Sequence, residues 1–99
     1  MAVNFEQAVA IVRAALEPGW TIGTFVIDDR NIVENDLFYV VNAGAREYLV
    51  DGDFEYAIAG DVTVVNKQSG EMESRPSVEI AIDSTIRISV NPNSVFGRA

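Results

Sequence analysis

The first apolar positions of the chain repeat at the spacing of an α-helix. They recur every three or four residues, at Phe5, Ala8, Val9, Val12 and Leu16. Asn4 stands just before this stripe, where its side chain can accept hydrogen bonds from free helix amides, and Gln7 occupies the reciprocal position of a capping box. Pro18 and Gly19 disfavour any continuation. The pattern therefore predicts a helix from Phe5 to Leu16.

Further along the chain, apolar residues alternate or run continuously over short segments, which is typical of β-strands. The predicted strands are residues 20–29, 37–42, 54–59 and 62–66, and the polar segment 71–75 completes an edge hairpin across a turn that contains Gly70. The polar residues 28–31 predict a turn, and the apolar pair at 32–33 is assigned to a loop. Segment 37–42 is apolar on both faces, which indicates a central strand.

The last third of the chain shows a strict alternation. From residue 78 to residue 90, the valines and isoleucines all fall on even numbers, at Val78, Ile80, Ile82, Ile86, Ile88 and Val90. A period of two predicts strand, bent near residues 83–85, and Asn91-Pro92-Asn93 ends the regular structure. The chain of 99 residues is thus predicted to form a single α+β domain. One N-terminal helix packs on a curved, mostly antiparallel sheet of five to six strands.

The composition removes several kinds of chemistry. The chain has no cysteine and no histidine, so thiol catalysis, disulfides and the commonest transition-metal ligands are excluded. No glycine pattern matches a phosphate-binding loop, and we predict no catalytic residue, no metal site and no cofactor. No apolar run approaches the roughly 20 residues of a membrane helix, and no signal-peptide pattern opens the sequence. We expect a cytoplasmic protein.

The net charge of −8 is concentrated in the middle of the chain. Residues 28–61 hold nine acids and two bases, whereas the rest holds six acids and five bases. Nucleic acids and anionic membranes should repel such a surface, and a basic protein should be attracted. The alternative interpretation is a solvated surface that serves solubility.

One acidic segment resembles the start of a calcium-binding loop. Asp51-Gly52-Asp53-Phe54-Glu55 begins like an EF-hand, but the later positions that need glycine and glutamate hold Tyr56 and Val62. An acidic edge is therefore expected, and the other acids are expected in turns. Trp20, Phe38 and Phe54 are assigned to the core, and the tyrosines to an interface. The predicted partner-binding residues are Tyr48, Asp51, Asp53, Glu55, Tyr56 and Asp61.

The same region resembles the Imm35 immunity-protein family, also called the YrhB domain. The resemblance is carried by L-F-Y-V at residues 37–40, by Y-L-V-D-G-D-F-E-Y-A-I-A-G at 48–60 and by V-V-N-K-Q-S-G-E at 64–71. It covers about residues 5–71. The resemblance implies a bacterial protein that binds a toxin effector, here a basic one, and blocks it without catalysis.

Three other functions stay open at this point. A pocket between the helix and the sheet, lined by Trp20, Phe38 and Tyr56, would favour a binder of small molecules or peptides. Two convergent carboxyl groups with raised pKa values would favour an enzyme. Pairing of the Val78–Val90 region across a two-fold axis would favour a homodimer.

Overall fold

The computed structural model describes residues 2–57 and 61–96. An α-helix, α1 (Phe5–Leu16), and a 3-10 turn (Glu17–Gly19) precede five antiparallel strands. The strands are β1 (Phe25–Glu34), β2 (Phe38–Ala45), β3 (Asp61–Asn66), β4 (Met72–Pro76) and β5 (Arg87–Val90). The short helices are α2 (Arg46–Leu49) and α3 (Ser77–Ala81), with a second 3-10 turn at Phe54–Tyr56. The strand order is β4-β3-β2-β1-β5, so the predicted α+β class is confirmed.

Helix α1 begins and ends where the sequence predicts. The side chain of Asn4 accepts from the Gln7 amide at 2.8 Å, and the Gln7 side chain accepts from the Asn4 amide at 2.8 Å. This capping box satisfies two amides that a helix start leaves free. Ala8 and Val12 are both 0% exposed and pack on Ile27, Val41 and Val65 of the sheet. The small alanine lets the helix lie close to the strands.

The opposite side of the sheet carries an apolar row across four strands. This side is called the outer face below. Val40 on β2 pairs with Val64 on β3 and with Val33 on β1, and Val33 pairs with Ile88 on β5. Residues directly opposite one another on neighbouring strands point to the same side of a sheet. The outer face therefore runs from a buried Val64 to Ile88, which is 70% exposed.

The central position of β2 and the hairpin of β3 and β4 at the sheet edge agree with the predictions. The first strand differs, because β1 begins at Phe25 and continues to Glu34 through the segment predicted as turn and loop. The left-handed φ of +64° at Gly23 ends any extended structure before it. The pairing of β1 with β2 shifts register between Asp28 and Val33, so a bulge absorbs the polar residues that suggested a turn.

The prediction of a strand at residues 54–59 is wrong over its described part. Phe54–Tyr56 forms a 3-10 turn, and Ala57 follows it in extended conformation. Ile58 and Ala59 lie outside the described residues. Asp53 explains the difference, because its carboxylate accepts from the Glu55 amide at 3.0 Å and so favours a turn over a strand. Phe54, assigned to the core, is instead 81% exposed.

The prediction of strand structure from Val78 to Val90, bent near residues 83–85, is confirmed only at β5. Residues Ser77–Ala81 form α3 instead. Arg75 of β4 and Glu79 of α3 form an ion pair, with 3.4 Å between Nη1 and Oε1. A turn follows, in which the Asp83 carboxylate accepts from the hydroxyl and the amide of Thr85 at 2.6 and 2.9 Å. Within the described residues, no helix has the length and apolar character needed to cross a membrane.

Candidate functional site

The acidic segment after β2 folds into a compact loop, residues 46–57, called the acidic loop below. Helix α2 opens it, and the Gly52 amide donates to the Tyr48 carbonyl while the Asp53 amide donates to the Glu47 carbonyl, both at 3.0 Å. Gly52 has a left-handed φ of +73°. The Gly52 bond spans four residues and ends on a left-handed glycine, as in the αL motif that ends many helices. The Asp51-Gly52 pair is thus a helix stop.

The inner side of the acidic loop is fixed to the start of β1. Glu47 accepts from the Thr24 amide at 2.9 Å through one carboxylate oxygen and from the Thr24 hydroxyl at 3.0 Å through the other. The Arg46 amide donates to the Thr24 carbonyl at 2.8 Å. A Cβ added to Gly23 would lie 2.5 Å from Glu47 Oε1 and 2.8 Å from Tyr56 Cδ1. The loop therefore needs glycine at this position.

The outer side of the acidic loop presents an aromatic ring among carboxylates. The Phe54 ring is tilted against the Tyr48 ring, with 5.9 Å between centroids. Asp51, Asp53 and Glu55 flank Phe54 in the chain, and all three are exposed. Phe54 is held in place because Asp53 caps the turn that carries it. The loop thus combines a large apolar contact with negative charge.

Other acids of the middle third are already engaged. Asp29 is buried, and its carboxylate accepts from the Ser94 hydroxyl at 2.6 Å and from the backbone amides of Val95 and Phe96. Three others form ion pairs: Asp28 with Arg30, Glu34 with Lys67 and Asp36 with Arg87. Within residues 2–57 and 61–96, no basic side chain forms an ion pair with an acid at positions 51–55. Uncompensated charge therefore gathers on the acidic loop.

Hydrogen bonding lowers the pKa of three carboxyl groups. The Arg30 guanidinium donates to Asp28 and lowers the pKa of that carboxyl. The Thr24 amide does the same for the pKa of Glu47, and the Thr85 hydroxyl for the pKa of Asp83. A general acid at neutral pH needs the opposite shift. These three groups are suited to holding turns and strands together.

The structure brings together five of the six predicted partner-binding residues. Tyr48, Asp51, Asp53 and Glu55 lie in the acidic loop, and Tyr56 ends its 3-10 turn. Tyr56 is half-buried and packs against Gly23, so it supports the loop. Asp61 is exposed at the start of β3, and residues 58–60 between them lie outside the described part.

Sequence reasoning missed two residues of this surface. Phe54 was assigned to a strand, although an Asp before it and a helix stop before that are signals of a capped turn. Glu47 is not among the predicted partner-binding residues. Nothing local marks its bond to Thr24, which is 23 positions away. The exposure of Phe54 and the bond between Glu47 and Thr24 are therefore visible only in the folded chain.

A separate cleft of about 360 Å³ opens on the outer face. It is lined by Asn35, Leu37, Phe38, Val64, Asn66, Glu73, Arg75, Asp83 and Thr85. The three aromatic residues predicted to line a pocket under the helix have different surroundings. Phe38 lies under Arg75 on the outer face, Trp20 packs edge-on against Phe25, and Tyr56 packs on Gly23.

Across the described residues, no three acidic side chains come close enough together to hold a metal ion. Comparison of the chain with protein-family models, with curated proteins and with solved structures finds no match.

Proposed function

We propose that this chain is a non-enzymatic binding protein that neutralises a basic toxin effector through the acidic loop. The observation that carries the proposal is the exposed Phe54 ring between carboxylates that have no ion-pair partner among the described residues. An exposed aromatic side chain of this size is a common anchor in protein interfaces. Unpaired charge around it suits a partner of opposite charge.

Charge complementarity supports a basic partner in particular. The chain carries −8, and much of the charge that is not paired internally lies on the acidic loop. Such a patch accelerates encounter with a basic protein and repels nucleic acid. Many toxins that act on nucleic acids must be basic themselves, for the same physical reason. An acidic binding protein can therefore compete for the surface that such a toxin uses.

The toxin role comes from the resemblance to the immunity-protein family. The residues that carry it are also those that shape the acidic loop. Gly52 supplies the left-handed turn, Asp53 caps the 3-10 turn, and Tyr56 packs the loop on β1. The motif is therefore a set of residues that builds an exposed aromatic loop, which fits a role in binding.

The first experiment removes the charge and the ring separately. The variants are Asp51→Asn/Asp53→Asn/Glu55→Gln and Phe54→Ser, with Glu6→Gln/Glu17→Gln/Glu71→Gln as a control of equal charge change elsewhere. Each immobilised variant is offered to an extract of its source cells, and captured proteins are identified. We expect the original chain and the control to retain one basic protein that both loop variants lose. Equal retention by all four proteins would rule out the acidic loop as the binding surface.

The second experiment tests neutralisation itself. The captured protein is expressed alone and together with the chain, and cell growth is followed. Growth should stop with the partner alone and recover with the original chain, but not with Phe54→Ser. Association of the purified pair should be about tenfold slower for the triple charge variant, with a flatter salt dependence. A partner that binds but has no effect on growth would retain the binding function and exclude the toxin role.

A second candidate function is favoured by the cleft on the outer face. Its volume of about 360 Å³ falls at the lower end of the range of small-molecule sites. Phe38 and Leu37 supply apolar wall, and Arg75 and Asn66 supply polar groups. Amide NMR spectra recorded with a library of small polar aromatic compounds would test it. Shifts confined to the cleft residues would support a ligand site, and an unchanged spectrum would remove it.

A further inference from the structure

Strand β5, at the opposite end of the sheet from β4, is another exposed apolar surface of the molecule. All four of its residues are exposed, and Ile88 and Val90 are 70% and 79% exposed. They lie opposite Val33 and Asn31 of β1, so both side chains stand on the outer face. Within the described part of the chain, no strand lies on the outward side of β5. A sheet edge of this kind, with two large apolar side chains, favours pairing with another strand.

The backbone of β5 has its free hydrogen-bonding groups at the same two residues. The Asn91 amide donates to the Arg30 carbonyl at 2.9 Å, in register with the ladder of β1 and β5. Hydrogen-bonded and non-hydrogen-bonded pairs alternate along antiparallel strands, so Ser89 bonds to β1 whereas Ile88 and Val90 direct their N–H and C=O groups outward. The outward edge therefore offers two complete sets of donors and acceptors.

We propose that a second copy of this chain pairs with β5 antiparallel, about a two-fold axis through Ser89. In this register Ile88 of one copy lies opposite Val90 of the second copy, and each such pair exchanges two hydrogen bonds. A two-fold axis perpendicular to the sheet keeps the same side of both sheets together. The four apolar side chains then form one cluster that continues the row from Val64 to Ile88.

The distribution of charge does not oppose a second copy at this edge. The chain carries −8 overall, yet residues 84–96 contain no acid and one base, Arg87. Arg87 is already paired with Asp36 at 3.1 Å. Self-pairing through β5 therefore places no carboxylates of this segment opposite each other. The other edge, β4, carries Glu73, Arg75 and a proline, which discourage such pairing.

The first test compares charge patterns at the two facing positions. In the proposed register, Ile88→Glu/Val90→Glu and Ile88→Lys/Val90→Lys place like charges opposite each other, whereas Ile88→Lys/Val90→Glu places opposite charges there. All three variants remove the same apolar side chains. Sedimentation over a concentration series should show the original mass rising from 10.8 kDa towards twice that value. The mixed-charge variant should dimerise more readily than either like-charge variant, and both like-charge variants should stay monomeric.

Several outcomes would overturn the proposal. One is an original chain that stays monomeric at every concentration, which would leave the edge to a different partner. Another is equal behaviour of the three variants, since the register predicts a difference between them. Far-UV circular dichroism should show that each variant is folded. If a variant is unfolded, the cysteine test below decides the question with the apolar residues intact.

The second test uses the absence of cysteine from the chain. Ser89→Cys would place two thiols opposite each other at the two-fold axis, in a pair that is not hydrogen-bonded and whose side chains are therefore close. Mild oxidation should give a covalent dimer of the full chain. Ser74→Cys, on the exposed edge strand β4, is the matched control and should remain a monomer. Equal cross-linking of the two variants would reflect random collision and overturn the proposal.

Discussion

Helix α1 and the acidic loop are both joined to the sheet, but by different kinds of interaction. Helix α1 is specified by neighbours in sequence: a capping box at its start, a regular apolar stripe and a proline after its end. The acidic loop is held by Glu47, whose partner Thr24 is 23 positions away, and by a glycine on another element. The helix is therefore specified by residues close together in the sequence, whereas the position of the acidic loop depends on residues far apart in the sequence.

The largest expected effect is the loss of packing under the helix. Val12→Ala removes two methyl groups from a side chain that is 0% exposed, so we expect a loss of about 2–3 kcal/mol in the free energy of unfolding. Urea titration measures this loss. Val9→Ala lies on the same helix but is only half-buried, and it should cost less. Equal losses would mean that the core collapses around the smaller side chain.

The next largest loss of stability should come from a change at Gly23, on which the acidic loop packs. Gly23→Ala forces a left-handed residue to carry a Cβ that meets Glu47 and Tyr56, and should cost about 2 kcal/mol. The loss should be accompanied by faster hydrogen exchange at the Gly52 and Asp53 amides. Gly19→Ala is the control, since no atom lies within 4 Å of its added Cβ. If Gly23→Ala leaves exchange in the loop unchanged, the two elements are not coupled.

A smaller effect is expected at the start of the helix. Asn4→Ala removes the side chain that accepts from the Gln7 amide, and helix caps of this type contribute about 1 kcal/mol. The measurement is again the urea midpoint, with amide exchange over the first turn of α1. Asn4→Asp should retain most of the stability because a carboxylate also accepts from that amide. The acidic loop should be unaffected by either change.

The difference between the two regions also explains which parts of the fold could be predicted from the sequence. Helix α1 and the hairpin of β3 and β4 follow from local patterns, and both are confirmed. The bulge in β1 and the helix α3 were not predicted. The bulge could not be predicted, because the polar residues 28–31 have the composition of a turn and only their position between β2 and β5 makes them part of a strand. Helix α3 could not be predicted, because five residues are too few for periodicity to distinguish a helix from a strand.

The predicted partner-binding residues show the same division. The acids and Tyr48 could be placed on one surface by their nearness in sequence. The exposure of Phe54 could not, because it depends on a 3-10 turn in a segment that alternates like a strand. The anchoring role of Glu47 depends on how β1 begins, which only tertiary packing decides. Sequence proximity thus indicated where the surface lies but not which side chain projects from it.

The most discriminating prediction concerns pH, because it acts on the loop and not on the helix. Hydrogen bonds from Thr24 lower the pKa of Glu47 below its ordinary value of 4.5, so the folded state favours the carboxylate. The stabilisation is fully present above 4.5 and is lost as the pH falls through the lowered pKa. Hydrogen bonds also lower the pKa values of Asp28 and Asp83. Both groups are present in the original chain and in any Glu47 variant, so their contribution cancels when the two proteins are compared.

Glu47→Gln should therefore be less stable than the original chain at neutral pH, and the difference should shrink steadily as the solution is acidified below 4.5. Urea midpoints measured along this range report the difference, and carbon NMR of the Glu47 carboxyl reports its pKa directly. Glu55→Gln, on the exposed side of the same loop, is the matched control, because it also removes one carboxylate but leaves both bonds between Glu47 and Thr24 in place. If the difference between Glu47→Gln and the original chain stays constant with pH, the bond to Thr24 does not depend on the carboxylate charge.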